Sequence, residues 1–256
     1  MNTHERRQSL LNLLRKQPGL RVPEIATALD ISEGTVRNDL NALEDNGDVT
    51  RFHGGAILNE QSGLHDHTFS ARHQEHATEK MLIAHTASGL VQDGDSILLD
   101  ASSTVYYFAL SLQDRNRLRV VTNGLEVARL LAKNPSNTVI LIGGILNQDG
   151  SSVTGLFSET ILQELHIQKA FVSSSGFSLE RGLTEVSIEE AQLKRKAIEA
   201  SREVIALIDS SKIGKEDLTP VARVQQIDKV ITDAGISDEW AQSIENAGII
   251  LIICQV

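Results

Sequence analysis

Five residues, Asp100-Ala101-Ser102-Ser103-Thr104, stand between an apolar run, Ser96 to Leu99, and a helical pattern that opens near Thr104. Hydroxyl residues where a strand end runs into a helix N-terminus offer an anion backbone amides, O–H donors and the positive end of a helix dipole. The arrangement suits a phosphate, although Ser and Thr at such a junction also serve as ordinary N-caps. Similar loops follow other apolar runs: Thr122-Asn123-Gly124, Gly143-Gly144 and Ser173 to Gly176. Open α/β sheets bind ligands at the carboxyl ends of their strands. Ser102, Ser103, Thr104, Thr122, Asn123, Gly143 and Gly144 are therefore expected around one crevice.

A different chemistry is set out near the amino end, where Ser32-Glu33-Gly34-Thr35-Val36-Arg37-Asn38 opens a helical pattern with Val36, Leu40 and Leu43 on one face. In a helix-turn-helix the second helix enters the major groove, and its N-terminal residues reach base edges. Arg37 suits a guanine edge or a phosphate, Asn38 an adenine edge, and Ser32 or Thr35 a phosphate. Further on, Arg51 and His53 adjoin Gly54-Gly55, which would let a wing bring backbone close to the duplex.

The elements that must position these groups are legible in the periodicity. A helix over 4–17 carries leucines at 10, 11, 13 and 14 and stops at Pro18-Gly19. A second helix runs from Pro23 to Leu29, and a third, capped by Ser32, runs from Glu33 to Asn46 and ends at Gly47. Val49 to Phe52 and Ala56 to Leu58 read as strands about the turn His53-Gly54-Gly55. This is the outline of a winged helix-turn-helix. Asn59 to Thr68 is polar and aperiodic, a linker, and one helix is expected from Ser70 to Val91.

Beyond it, apolar runs at 96–99, 119–121, 138–142, 169–172, 203–208, 229–232 and 249–253 alternate with amphipathic segments at 104–112, 125–133, 156–165, 187–201 and 238–246. That alternation predicts a mainly parallel sheet with helices on both faces.

The chain has 256 residues, 41% of them apolar and 23% charged, enough to bury a core without disulfide support. One cysteine, Cys254, makes no internal disulfide and no cysteine-based zinc pattern, and it fits a reducing cytoplasm. The longest apolar run, Ile249 to Cys254, is too short to span a bilayer, and the charged amino end is no signal peptide. The net charge is −10, with 7 basic against 8 acidic side chains in residues 1–58, so DNA binding must rest on motif geometry and not on bulk charge.

The amino-terminal segment resembles the DeoR-type regulators. The resemblance is carried by Thr35-Val36-Arg37-Asn38-Asp39-Leu40, Leu43-Glu44, Gly47 and Arg51-Phe52-His53-Gly54-Gly55-Ala56. One position departs, because the family usually has a second arginine where this chain has Asn38. The resemblance continues through Leu99 to Thr104, Val121-Thr122-Asn123, Ile142-Gly143-Gly144, Gly155, Gly182 to Glu185, Glu190-Ala191, Lys194, Asp209 to Lys212 and Thr232-Asp233. It implies an effector domain like ribose-5-phosphate isomerase in fold, with Ser102, Ser103 and Thr104 holding phosphate. Asp100, Asn123 and Lys194 would read hydroxyls or balance charge, and Gly155 and Lys212 join the site by the same resemblance. Ser102 stands where the family more often has glycine, which adds bulk at the closest approach to a ligand.

Together these readings give an α/β chain: a winged helix-turn-helix over 1–58, a linker over 59–75 and a larger, mainly parallel α/β sensor domain over 76–256. The expected partners are operator double-stranded DNA, a small phosphorylated sugar or polyol, and further copies of the chain as a dimer or tetramer. No membrane, metal or cofactor is expected. Repression relieved by ligand is the habit the resemblance implies. An isomerase-like enzyme with an appended DNA module and a protein-interaction adaptor are the rival classes. Val172 to Phe177 carries no carboxylate for catalysis, and Glu185, Glu189 and Glu190 can be read as a solvated helix face. His65, His67, His73 and His76 lack a cysteine partner and read as polar residues of a linker entering a helix.

Overall fold

The computed structural model describes residues 3–45, 49–52, 54–58 and 69–255. The expected turn residues Gly47 and His53 and the linker Asn59 to Thr68 lie outside the described residues. The chain divides into two compact units, Met1–Ala71 and Arg72–Val256.

In the first unit, α1 (Thr3–Lys16) precedes α2 (Val22–Leu29) and α3 (Glu33–Asp45). Glu24 reaches back to accept the Arg21 N–H at 2.7 Å and closes the amino end of α2, while Asp30 leaves it in the left-handed conformation. The Ser32 hydroxyl accepts the Thr35 N–H at 3.2 Å, so the expected cap of α3 is formed. Leu10, Leu14, Ile25, Val36, Leu40 and Val49 close the core. β1 (Val49–Phe52) and β2 (Gly55–Leu58) form the antiparallel hairpin.

Asp39, buried on α3, accepts hydrogen bonds from Arg6 at 2.5 Å and Arg7 at 3.1 Å and so clamps α1 to α3. Burial alone would raise its carboxyl, but the two guanidinium groups outweigh that and hold it below the usual carboxylate range. A depressed folded pKa stabilises above the unfolded value and is lost as pH falls through the folded one. The urea midpoint of wild type should therefore exceed that of Asp39→Asn at pH 6, and the gap should close as pH drops below about 4. A gap unchanged by acid would contradict the clamp.

α4 (Phe69–Gln74) spans the boundary between the units and α5 (Ala77–Ser88) follows it, where one continuous helix was expected. The break is at His76, whose φ of 51° is left-handed. Carbonyl groups freed there are taken by a side chain: the buried Lys80 ammonium donates to Arg72 O and, at 2.6 Å, to Glu75 O.

There follow β3 (Ser96–Leu99), α6 (Ser103–Leu110), β4 (Arg119–Thr122), α7 (Leu125–Leu131), β5 (Thr138–Leu141), β6 (Ile145–Leu146), β7 (Val153–Thr154) and α8 (Leu156–Gln163). β8 (Ile167–Val172), β9 (Gly176–Ser178), β10 (Gly182–Glu185), α9 (Ile188–Glu199), β11 (Ser201–Leu207), β12 (Thr219–Ala222), β13 (Lys229–Thr232), α10 (Asp238–Asn246) and β14 (Ile250–Ile253) complete it. Seven strands form a parallel sheet in the order β14-β13-β11-β8-β3-β4-β5.

Alternation along the strands divides the core into two layers. Leu98, Ala170, Val172, Val204 and Ala206 pack with Leu162, Ala197 and Ile198 of α8 and α9. Ile97, Leu99, Phe171, Ile205 and Leu207 pack with Ile83, Val105, Phe108 and Val127 of α5, α6 and α7. Helices cover both faces, as the alternation of runs predicts. The antiparallel hairpin β6-β7 and the antiparallel sheet β12-β10-β9 were not foreseen: strands of two to four residues such as Gly176–Ser178 carry no apolar run to announce them.

Candidate nucleic-acid interface and ligand crevice

On α3, Arg37 and Asn38 are exposed, one turn in from the helix N-terminus. Arg37 Nη2 lies 2.6 Å from Glu33 Oε2, and both side chains are about half exposed, at 53% and 44%. Ser32 Oγ and Thr35 Oγ1 are 2.9 Å apart. Arg51 is turned inward: its guanidinium donates to Asn41, its Nε is buried with no partner among the described residues, and its backbone N–H donates to Glu44 at 3.2 Å.

The two wing glycines have separate physical reasons. Gly54 has φ 90° in open space, whereas a Cβ on Gly55 would lie 2.5 Å from Leu20 O. Gly55 is thus required by packing within the unit. His53 lies outside the described residues.

In the sheet, chain order runs from β3 outward through β4 to β5, then returns to β8 on the other side of β3 and proceeds to β11, β13 and β14. The switch point is therefore between β3 and β8, where crossover connections diverge and open α/β sheets hold their ligands at the carboxyl ends of the strands. Asp100 and the Ser102-Ser103-Thr104 run stand at the end of β3, and Ser173 to Ser175 at the end of β8. Asp100 joins the two: its carboxylate accepts the Ser102 and Ser173 N–H groups, each at 2.9 Å.

Ser102 is the N-cap of α6, its hydroxyl accepting the Val105 N–H at 3.2 Å. Thr104 Oγ1, fully buried in the first turn, has no hydrogen-bond partner among the described residues, and neither has Thr232 Oγ1 at the end of β13. At the end of β4, Thr122 Oγ1 accepts the Gly124 N–H at 3.0 Å and Asn123 Nδ2 donates to Val153 O at 3.3 Å. Gly143 and Gly144 follow β5 and are exposed. A Cβ on Gly144 would sit 2.2 Å from Thr154 O, so its lack of a side chain is explained by the loop crossing β7. Gly155 has φ 114° and stands at the N-cap of α8.

The buried Lys194 of α9 is the charge centre. Its ammonium donates to Ser173 O at 2.7 Å and to Glu185, and lies 3.2 Å from Asp100 Oδ2. Burial opposes its charge, but Asp100, Glu185 and Glu190 outweigh burial and push the ammonium above the usual lysine range. Glu190 is itself pushed up, chiefly by burial and against the pull of Lys194, and it accepts from Ser152 Oγ at 3.3 Å. Lys212 Nζ lies 3.4 Å from Asp209 Oδ2 and 3.5 Å from Ser173 Oγ.

The solvated-face reading thus fails for Glu185, which is on a buried strand and is paired. Lys80, whose burial lowers its ammonium to about 8, was missed, because a lone lysine in an amphipathic pattern looks like a solvated position. His73 stacks on Tyr107 with ring centroids 4.5 Å apart.

A DeoR-like helix-turn-helix domain matches residues 6–62, and a DeoR C terminal sensor domain matches residues 75–234. The chain belongs to the DeoR family. Its relatives include the HTH-type transcriptional regulator GolR of Listeria innocua, 35% identical and covering 96% of each chain. The lactose phosphotransferase system repressor of Streptococcus mutans is 35% identical over 93% of this chain and 95% of that one. Transcriptional repressor AccR of Agrobacterium fabrum is 30% identical over 91% of each.

Among solved structures, ribose 5-phosphate isomerase A of Methanocaldococcus jannaschii is similar at TM-score 0.39 and 20% identity, over 52% of this chain and 53% of that chain. As a DeoR-family protein the chain is a DNA-binding transcriptional regulator, α3 being the second helix of its helix-turn-helix. Among the described residues, no helix is long and apolar enough to cross a membrane.

Proposed function

We infer that this DeoR-family chain is a cytoplasmic repressor of a carbohydrate operon, released from or retained on its operator by a small phosphorylated sugar or polyol held at the switch point. The observation that carries the reading is the buried, unpartnered Thr104 hydroxyl at the N-terminus of α6, in a crevice that also holds Lys194 and Lys212. A phosphate oxygen would give that hydroxyl the partner it lacks, and the α6 amides and dipole favour the same charge. The relatives named as a lactose phosphotransferase system repressor and as repressor AccR support the class.

On the DNA side, Arg37 and Asn38 would read base edges, with Ser32, Thr35, Arg51, His53, Gly54 and Gly55 placing the module on the backbone. One short helix reads too few base pairs to select an operator, so at least a dimer acts on repeated or palindromic half-sites. The effector shifts DNA affinity only by its differential affinity for the two states of the protein.

Binding without turnover is favoured because Asp100 and Glu185 are both engaged by the Lys194 ammonium, leaving neither free to move a proton at a sugar carbon. Glu190, with its carboxyl pushed up in the crevice, is the one observation on the side of a sugar-phosphate isomerase. Incubation with pentose and hexose phosphates decides: no interconversion is expected, and turnover would replace the sensor reading.

Thr104→Val supplies a signed test. A buried hydroxyl without a partner costs about 1–3 kcal/mol, so the variant should melt at or above the wild-type temperature without ligand. Its affinity for a sugar phosphate found by thermal-shift screening should fall about tenfold or more, as expected for loss of a charge-assisted hydrogen bond. An unchanged affinity in titration calorimetry would remove Thr104 from the site.

A further inference from the structure

β5 is the outer strand of the seven-stranded sheet, bonded to β4 on one side only. Edge strands are normally guarded by charge, proline or a covering segment. Here the 15 residues from Asn134 to Gln148 contain no ionisable side chain, although the chain as a whole is 23% charged with a net −10. In that stretch and the adjoining α8, Ile140, Leu141, Ile145, Leu146, Phe157 and Ile161 are 37% to 79% exposed.

Ile140 and Leu141 point to opposite faces of β5; Ile140, on the face where Ile142 packs with Leu162 of α8, joins Ile145, Leu146, Phe157 and Ile161 in one surface, and Leu141 does not. Ser158 Oγ in the first turn of α8 donates to Gly143 O at 2.5 Å, tying the helix to the loop after β5. A Cβ built on Gly155 would lie 3.9 Å from Ile145 Cγ1, so Ile145 packs over the start of α8, and Phe157 and Ile161 share a helix face at i, i+4. At ~200 Å² for a large side chain, the five expose roughly 550 Å² of apolar surface, near the upper end of what a monomer shows. A standard interface takes about 800 Å² per partner, so this patch supplies most of one.

We propose that this surface is covered by the same surface of a second copy of the chain, related by a twofold axis. Two molecules of net charge −10 repel, and the segment from Asn134 to Gln148 adds no charge of its own to such a contact, Glu159 of α8 being the acidic residue beside it. A twofold pair is also what a helix-turn-helix on palindromic half-sites requires, and in that clause the proposal rests on the operator reading.

The test is sedimentation equilibrium of the full chain at micromolar concentration. Wild type should sediment as a dimer or larger, and Phe157→Glu as a species of half that mass with an unchanged melting temperature. Its affinity for promoter DNA should fall about 100-fold, because the second half-site no longer binds intramolecularly. If F157E melts early, Ile145→Glu on the adjoining β6 gives the same reading. Ile250→Glu, on the opposite edge strand β14, should sediment as wild type. The proposal is overturned if both patch variants keep the wild-type mass, if I250E dissociates instead, or if wild type is monomeric where it retards promoter DNA. Mass is read without DNA, so a dimer that ignores the promoter would count against the operator reading and leave the interface standing.

Discussion

Arg37→Ala should lower affinity for operator DNA by roughly 10- to 100-fold, from the about 1–3 kcal/mol that a bidentate arginine–guanine contact contributes. The side chain is exposed one turn into α3, where it pairs with Glu33, both side chains being about half exposed. Such a pair is worth at most about 1 kcal/mol, so DNA displaces Glu33 at little cost. Arg37 lies in the first unit and the crevice in the second, so effector affinity should not change. Fluorescence anisotropy with promoter and random duplexes separates two modes of contact. Loss confined to the promoter duplex marks base readout. An equal loss on both, with the salt slope reduced by about 1, marks a phosphate contact. No loss on either would move the interface away from α3.

The second large effect is expected at Lys194. Replacing it by methionine leaves Asp100 and Glu185 buried side by side without their cation, a change that costs about 3–5 kcal/mol. The melting temperature of K194M should fall by several degrees, and part of the loss should be recovered in acid, where a carboxyl takes up the proton that replaces the ammonium. Effector response should vanish as well, since Asp100 holds the ends of β3 and β8 together through Ser102 and Ser173. A variant as stable as wild type at every pH would mean that the ion cluster is not what holds the crevice.

Much of this architecture was legible in advance, because periodicity reports burial. Ile97 and Leu99 facing one layer and Leu98 the other is the alternation of a strand with both faces covered, and the carboxyl-end loops follow from the parallel topology. What stayed hidden depends on partners distant in sequence. Nothing in Glu75-His76 announces a helix break, because the carbonyls it frees are answered by Lys80. That a Cβ on Gly55 or Gly144 would collide with Leu20 O or Thr154 O is likewise invisible in the sequence. Ser102, expected to touch a ligand, also caps α6, so the departure from the family glycine has a local stabilising role.

Glu185 and Glu190 show the same limit for the site itself. In sequence they flank the start of a helix and look solvated. In space Glu185 is on β10, Glu190 is in the first turn of α9, and both act on the Lys194 charge. Tertiary burial, which no local pattern encodes, converted surface-looking carboxylates into the counter-charges of a crevice.

The most direct test is the affinity of the purified full chain for a duplex spanning its own promoter and for a random duplex of equal length, at moderate salt, with and without each candidate sugar phosphate. The account predicts a preference for the promoter of about 10³-fold or more and a change in that preference with at least one phosphorylated sugar or polyol. Equal affinity for the two duplexes, unmoved by every metabolite, would contradict it.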